Sequence, residues 1–228
     1  DDGRASLRSL ADDLDVSVVG TTGDDDLIYT PTGANAGTVE LDGLNTVFNL
    51  SSVPDTTLTI DALAGEDSLT VIGTAAADTI DVDVSVDPST VDVTGRLPVE
   101  FTGTEALSVL GREGIDTFDV LSGAAPVFID GGDPIGTDPG DAINVDADGN
   151  PIILNGGPEN DEGSLVVSGS EAISFDHVES LSVEDADENG GGGGGGGGSS
   201  AVTVNGTDDA DAITIIARDD STHDGTDG

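Results

Sequence analysis

One phrase recurs four times along the chain: Gly-Thr, three variable residues, Asp, one variable residue, then Ile or Leu. It runs from Gly20-Thr21 to Asp25 and Leu27, and from Gly73-Thr74 to Asp78 and Ile80. It returns from Gly136-Thr137 to Asp141 and Ile143, and from Gly206-Thr207 to Asp211 and Ile213. A repeat at fixed spacing implies a repeated supersecondary unit rather than a single catalytic domain.

The phrase opens a longer pattern. An alternating strand precedes it, as in Val16-x-Val18, Leu69-x-Val71 and Val202-x-Val204. A second strand follows the Asp. Next comes a Thr/Ser-φ-x-φ-x-Gly run: Thr38 to Gly43, Thr90 to Gly95 and Ser164 to Gly169. A Phe (Phe48, Phe101, Phe175) then leads into Leu58-x-Ile60, Leu107-x-Val109 and Leu181-x-Val183. The pattern divides the chain into three imperfect repeats, about 14–66, 67–130 and 131–186. The third carries the largest additions, in 144–163. Residues 187–200 form a Gly-rich linker with nine consecutive glycines, Gly190 to Gly198, whose composition is that of a flexible tether. A partial fourth repeat spans 201–217, and 218–228 is an acidic tail. Residues 1–13 read either as a short helical cap on Leu7, Leu10 and Leu14 or as a disordered leader.

Short runs of Val, Ile, Leu and Thr with period two, separated by Gly and Asp, predict an all-β fold. No segment has an amphipathic helical pattern of useful length. A parallel β-solenoid of β-roll type fits best, because stacked coils bury a narrow aliphatic interior and place Gly and Asp at repeated corners. Tandem small antiparallel β-sandwiches are the alternative. The scarcity of large side chains agrees with a thin core: five Phe, one Tyr, no Trp, Met or Cys. Without Cys, disulfides and thiol chemistry are excluded.

The charge balance narrows the partners. There are 47 acidic residues against 5 basic ones, a net charge of −42, and every basic residue is Arg. Such a chain repels nucleic acid and anionic membranes, and it repels itself. Compaction needs screening by salt, bound divalent cations, or both. Calcium loading outside the cell and adaptation to high salt would each produce this composition. No apolar run is long enough to cross a membrane as a helix. The chain starts at Asp1, as a processed mature protein or an excised fragment would.

The corner aspartates are the main candidates for chemistry. Calcium takes six to eight oxygen ligands, from carboxylates and backbone carbonyls. A Gly-x-Asp turn supplies both kinds, and stacked turns can each supply half a shell. Asp24, Asp25 and Asp26 form the densest cluster; Asp67, Asp78, Asp116, Asp141, Asp209 and Asp211 follow in register. The competing reading is that these residues make turns and bond to backbone amides. A second candidate is Asn144-x-Asp146-x-Asp148-Gly149, the opening of a calcium loop of the EF-hand type, although its twelfth position is Asn155 rather than Glu. A plain Asp-Gly turn explains it as well.

The fragments Gly23-Asp24-Asp25-Asp26-Leu27, Gly65-Glu66-Asp67-Ser68-Leu69 and Asp130-Gly131-Gly132-Asp133 resemble degenerate forms of the glycine-rich repeats of RTX, or hemolysin-type calcium-binding, proteins. The whole unit is similar to acidic repeats of large bacterial exoproteins and adhesins. The resemblance implies secretion, a β-roll-like stack and calcium-dependent folding, with Asp130 and Asp133 joining the candidate ligands. The chain departs from that family in lacking tandem nine-residue repeats.

Asn49-Leu50-Ser51 and Asn205-Gly206-Thr207 fit the N-glycosylation pattern at Asn49 and Asn205. His177 and His223 lack zinc-site spacing. Arg4, Arg8, Arg96, Arg112 and Arg218 do not cluster, and no carboxylate pair stands out from the repeated background, so no catalytic residue is expected. The expectation is an extracellular or cell-surface structural or adhesive protein that binds copies of itself. Calcium or salt would stabilise it, and residues 201–217 would be available for strand donation to a neighbour. A calcium-dependent module binding glycans or a surface is the alternative.

Overall fold

The computed structural model describes residues 6–9, 16–41, 47–53, 57–184 and 202–205. Among them there is no helix. The fold is all-β, with two mixed sheets.

The chain enters through β1 (Ser6–Ser9) and β2 (Val16–Val19). Three meanders of three strands follow, separated by single strands. The first is β3 (Asp26–Gly33), β4 (Ala36–Leu41) and β5 (Val47–Leu50). After β6 (Leu58–Asp61) and β7 (Ser68–Ile72) comes the second: β8 (Thr79–Asp83), β9 (Ser89–Val93) and β10 (Val99–Thr102). Four single strands continue the chain: β11 (Ala106–Leu110), β12 (Thr117–Leu121), β13 (Val127–Asp130) and β14 (Ala142–Asp146). The third meander is β15 (Ile152–Gly156), β16 (Gly163–Val167) and β17 (Ala172–Asp176), followed by β18 (Ser180–Glu184) and β19 (Val202–Asn205).

The first sheet runs β1-β2-β6-β10-β9-β8-β12-β14-β18, and the second β19-β15-β16-β17-β13-β11-β7-β3-β4-β5. Outside the meanders the chain changes sheet at every strand from β2 onward. Because each meander stays in one sheet, successive meanders fall in opposite sheets: the first and third in the second sheet, the middle one in the first. The first strand of each meander pairs in parallel with a strand of the next passage. These pairs are β3 with β7, β8 with β12, and β15 with β19.

The repeat read from sequence maps onto these meanders. The Thr/Ser-φ-x-φ-x-Gly run lies on the central strands β4, β9 and β16, and Phe48, Phe101 and Phe175 lie on the third strands. Gly95 and Gly169 close the run with φ of 76° and 97°, a backbone shape a side chain strains. The additions in 144–163 create β15, so the strand after Asp141 stands alone and the third meander begins one strand later. Where the sequence left a helical cap or a disordered leader open around Leu7, residues Ser6–Ser9 form β1, which pairs antiparallel with β2 and supplies hydrogen bonds to that sheet edge. Residues 187–200 and 206–228 lie outside the described residues, and with them Asp209, Asp211 and His223.

Period-two alternation puts Val, Ile and Leu inward. In the stack Leu27, Leu69, Leu107, Val127 and Ile173 lie in register across the second sheet. Ile80, Phe118 and Ile143 do the same across the first, all fully buried. Both sheets contribute to one hydrophobic cluster. Tyr29 is buried within it, and its hydroxyl donates to Leu97 O at 2.6 Å.

Candidate functional site

Every change of sheet in the stack needs a corner, and the corners carry the acids. Seven of them bear a carboxyl group two residues before the first inward side chain of the next strand. The pairs are Asp25–Leu27, Asp67–Leu69, Glu105–Leu107, Asp78–Ile80, Asp116–Phe118, Asp141–Ile143 and Glu179–Leu181. The position fixes the role. Asp67 Oδ1 accepts the backbone N–H of Asp25 at 2.7 Å, and Glu105 Oε2 accepts that of Asp67 at 2.7 Å. A second ladder runs through the opposite corners. Asp116 Oδ1 accepts Asp78 N–H at 2.7 Å, Asp141 Oδ1 accepts Asp116 N–H at 2.6 Å, and Glu179 Oε2 accepts Asp141 N–H at 2.7 Å. Each layer therefore satisfies a backbone donor of the layer before it, a group that would be costly to bury alone.

The Gly-Thr phrase begins each ladder. Among the described residues Asp25 and Asp78 have no earlier layer to serve, and their carboxylates turn back on their own corner. Thr21 N–H and Oγ1 donate to Asp25 at 2.6 and 3.0 Å; Thr74 N–H and Oγ1 donate to Asp78 at 2.7 and 3.0 Å. The third Gly-Thr behaves differently. Its corner is longer, Gly131 takes the glycine's place, and Thr137 Oγ1 donates to Pro139 O instead. Glycine is required where the carboxylate tucks under the chain. A Cβ on Gly20 would lie 2.7 Å from Asp25 Oδ2 and 2.9 Å from Ala62 O, and Gly111 and Gly131 face Asp116 and Asp141 in the same way.

Interior members of the ladders keep one oxygen spare. Asp67, Asp116 and Asp141 are at most 2% exposed, and the Oδ2 of each is buried with no hydrogen-bond partner. Burial pushes the Asp116 carboxyl up to about 6, aided by the charges of Asp141 and Asp78. Burial also raises Asp67, with Asp25 and Glu105 adding to it, and Asp141, with Glu179 and Asp130 adding to it.

The other candidates are dispersed. Asp24 Oδ1 accepts Glu66 N–H at 3.0 Å, and Asp26 Oδ1 accepts the Ser68 hydroxyl at 2.6 Å, so the Asp24–Asp26 cluster splays along the neighbouring layer. Asp130 accepts His177 Nδ1 at 2.9 Å, a bond that raises the imidazole above its ordinary value. Asp133 is exposed, its amide bonded to Arg112 O. Asn144 donates to Asp119 at 2.7 Å from the outer face of β14, while Asp146 accepts Asp148 N–H at 2.9 Å in a turn with Gly149 at φ 72°. That stretch is folded as an Asp-Gly turn. Asn49 is exposed on β5. Asn205 ends β19.

Calcium needs converging oxygens. In this geometry the corner carboxyls are engaged with backbone amides, and only the interior Asp67, Asp116 and Asp141 keep a buried oxygen without a partner. Among the described residues no three Asp, Glu, His or Cys side chains converge on a metal-sized space. Carboxylates left facing solvent lie elsewhere, in a row across the first sheet where Asp92, Asp81 and Asp119 are direct neighbours. Partial burial raises Asp81, with Asp119 and Asp92 adding to it.

Comparison with family models, curated proteins and solved structures finds no match.

Glu105 and Glu179 were absent from the sequence-derived candidates because metal chemistry directed attention to Asp. Their shared offset from Leu107 and Leu181 is the signal that identifies them.

Proposed function

We propose that the chain is a structural or adhesive module of an extracellular surface or exoprotein. In this reading it is a β-roll-like solenoid with three-stranded excursions, it assembles with further copies of itself, and cations stabilise it. The observation that carries this is the coupling between layers. Each interior corner is completed by the carboxyl group of the next, so the unit gains by being stacked and has no need of a ligand pocket. The likeness to RTX repeats supports secretion. The cation's role differs from that family's: it neutralises outward rows such as Asp92, Asp81 and Asp119, where like charges sit side by side across strands. The same row favours a second reading, a module that holds a mineral or anionic glycan surface through bridging divalent cations.

Negative-stain images of the purified chain separate the two. Regular fibres or sheets support the structural role. Monomers under every salt and calcium condition, retained on a calcium mineral and released by chelator, support the module. Melting curves test the cation. At low ionic strength with chelator the midpoint falls, and calcium or concentrated salt restores it. A midpoint indifferent to both removes cation stabilisation from the proposal.

A further inference from the structure

The step from one repeat to the next has a constant form and one exception. After the first meander the chain takes β6, then residues 62–67 as a corner, then β7, which pairs in parallel with β3. After the second it takes β11, then residues 111–116, then β12, which pairs in parallel with β8. After the third it takes β18, then residues 185–201, then β19, which pairs in parallel with β15. The pairing is the same, with Leu154 opposite Val204 as Leu27 is opposite Leu69. The connection is almost three times as long and contains the nine glycines.

We infer that the β15 edge is an exchange site for β19, taking residues 202–205 either from its own chain or from a second copy of this chain. This rests on the self-assembly reading and names the surface that serves it. Exchange preserves the strand pairing, because donor and acceptor are the same residues in both cases. The two states differ in the tether alone. Residues 185–201 can span roughly 55–60 Å when extended, enough to reach a neighbour as well as the home edge. A tether of this length holds its strand at an effective concentration on the order of millimolar. Dilute chains close on themselves, and chains packed at comparable density trade strands. The six-residue corners before β7 and β12 allow no such choice.

The absence of native cysteine permits a direct test. Ile153 is opposite Thr203 in the β15–β19 pair and is 44% exposed. Chains carrying Ile153→Cys are mixed with chains carrying Thr203→Cys at about 1 mM, near the tether's effective concentration, and oxidised mildly. The expected result is a disulfide-linked heterodimer, which does not form when the same mixture is strongly diluted before oxidation. It does not form when Val86→Cys, at another exposed site, replaces Ile153→Cys. The double variant Ile153→Cys/Thr203→Cys, oxidised dilute, closes internally and can no longer exchange.

No heterodimer at high concentration overturns the inference, as does failure of the dilute double variant to close. Normal fibres from the internally locked double variant also overturn it, while leaving self-assembly intact. A wild-type chain that never assembles, beside cysteine variants that do yield the heterodimer, keeps the exchange and removes the self-assembly reading.

Discussion

Asp141 accepts the backbone N–H of Asp116 at 2.6 Å through Oδ1 and keeps Oδ2 buried without a partner. The relationship is favourable for the amide and unfavourable for the charge. A hydrogen bond to a carboxylate stabilises the ionised form, yet burial outweighs it at Asp116, Asp141 and Asp67, all of which are raised. The ladder is therefore strongest when these groups hold protons.

Stability falls as pH rises. Asp116 titrates near 4 when unfolded and at about 6 when folded, so the native state holds the extra proton between those values. Its contribution is complete below about 4, is lost by about 6, and is on the order of 2–3 kcal/mol at about 1.4 kcal/mol per unit. His177 acts in the same direction at higher pH. Its imidazole is raised by Asp130, so that contribution is present below about 6.5 and is lost as pH passes the folded value. Urea midpoints at pH about 5 and about 8, in about 1 M NaCl to screen the general repulsion, should be higher at the acid end. A midpoint that rises with pH contradicts the assignment.

Asp116→Asn and Asp116→Ala separate the two roles of that side chain. The Asn carbonyl still accepts the Asp78 amide, and its uncharged NH2 group takes the place of the unpartnered Oδ2. The variant should match or exceed wild type at pH 8 and lose much of the slope between pH 4 and 6. Ala leaves the Asp78 N–H unsatisfied and should be less stable than the Asn variant by about 1–3 kcal/mol at any pH. Equal losses from Asn and Ala would show that the acceptor is not what matters.

Much of this architecture was legible beforehand. The Thr/Ser-φ-x-φ-x-Gly run falls on the central strand of each meander, and alternation from Leu27 to Tyr29 or Ile80 to Val82 marked which side chains are buried. Alternation cannot say which sheet a strand joins, so the switching of successive meanders between sheets was hidden. The strand β15 was hidden as well, lying inside an addition that broke the repeat. The role of the corner acids was undecided for a physical reason. An Asp beside a glycine can ligate a cation or accept an amide, and the choice depends on whether the next layer brings an N–H within reach. That distance belongs to the stacking, not to the spacing along the chain.

Glu179 tests whether a ladder needs its longer last member. Its two oxygens accept Asp141 N–H at 2.7 Å and Gly136 N–H at 2.5 Å. Glu179→Gln keeps an acceptor for one of these donors and should cost less than about 1 kcal/mol. Glu179→Asp is one methylene short of both and should cost nearly as much as Glu179→Ala, about 1–3 kcal/mol. Amide exchange at Asp141 should accelerate in the Asp and Ala variants and stay protected in Gln. Protection retained in all three would mean that Glu179 is decoration on a corner held by other bonds.

The corner glycines give the sharpest steric contrast. Gly73→Ala places a methyl 2.8 Å from Gly111 O and 3.2 Å from Asp78 Oδ2, and Gly20→Ala is tighter against Asp25. Backbone oxygen cannot swing aside, so the layers must part or the carboxylate must leave. Gly95→Ala is the control: it meets no atom within 4 Å, and its cost is the strain of φ 76°, about 1 kcal/mol. Gly20→Ala and Gly73→Ala should exceed that control by about 1–3 kcal/mol, in the range of overpacked cores. They should also flatten the dependence of stability on pH, because a displaced corner exposes the carboxyls stacked behind it. Corner variants no worse than Gly95→Ala would mean that the carboxylates are not seated under the glycines, and that the layers are held by their strands alone.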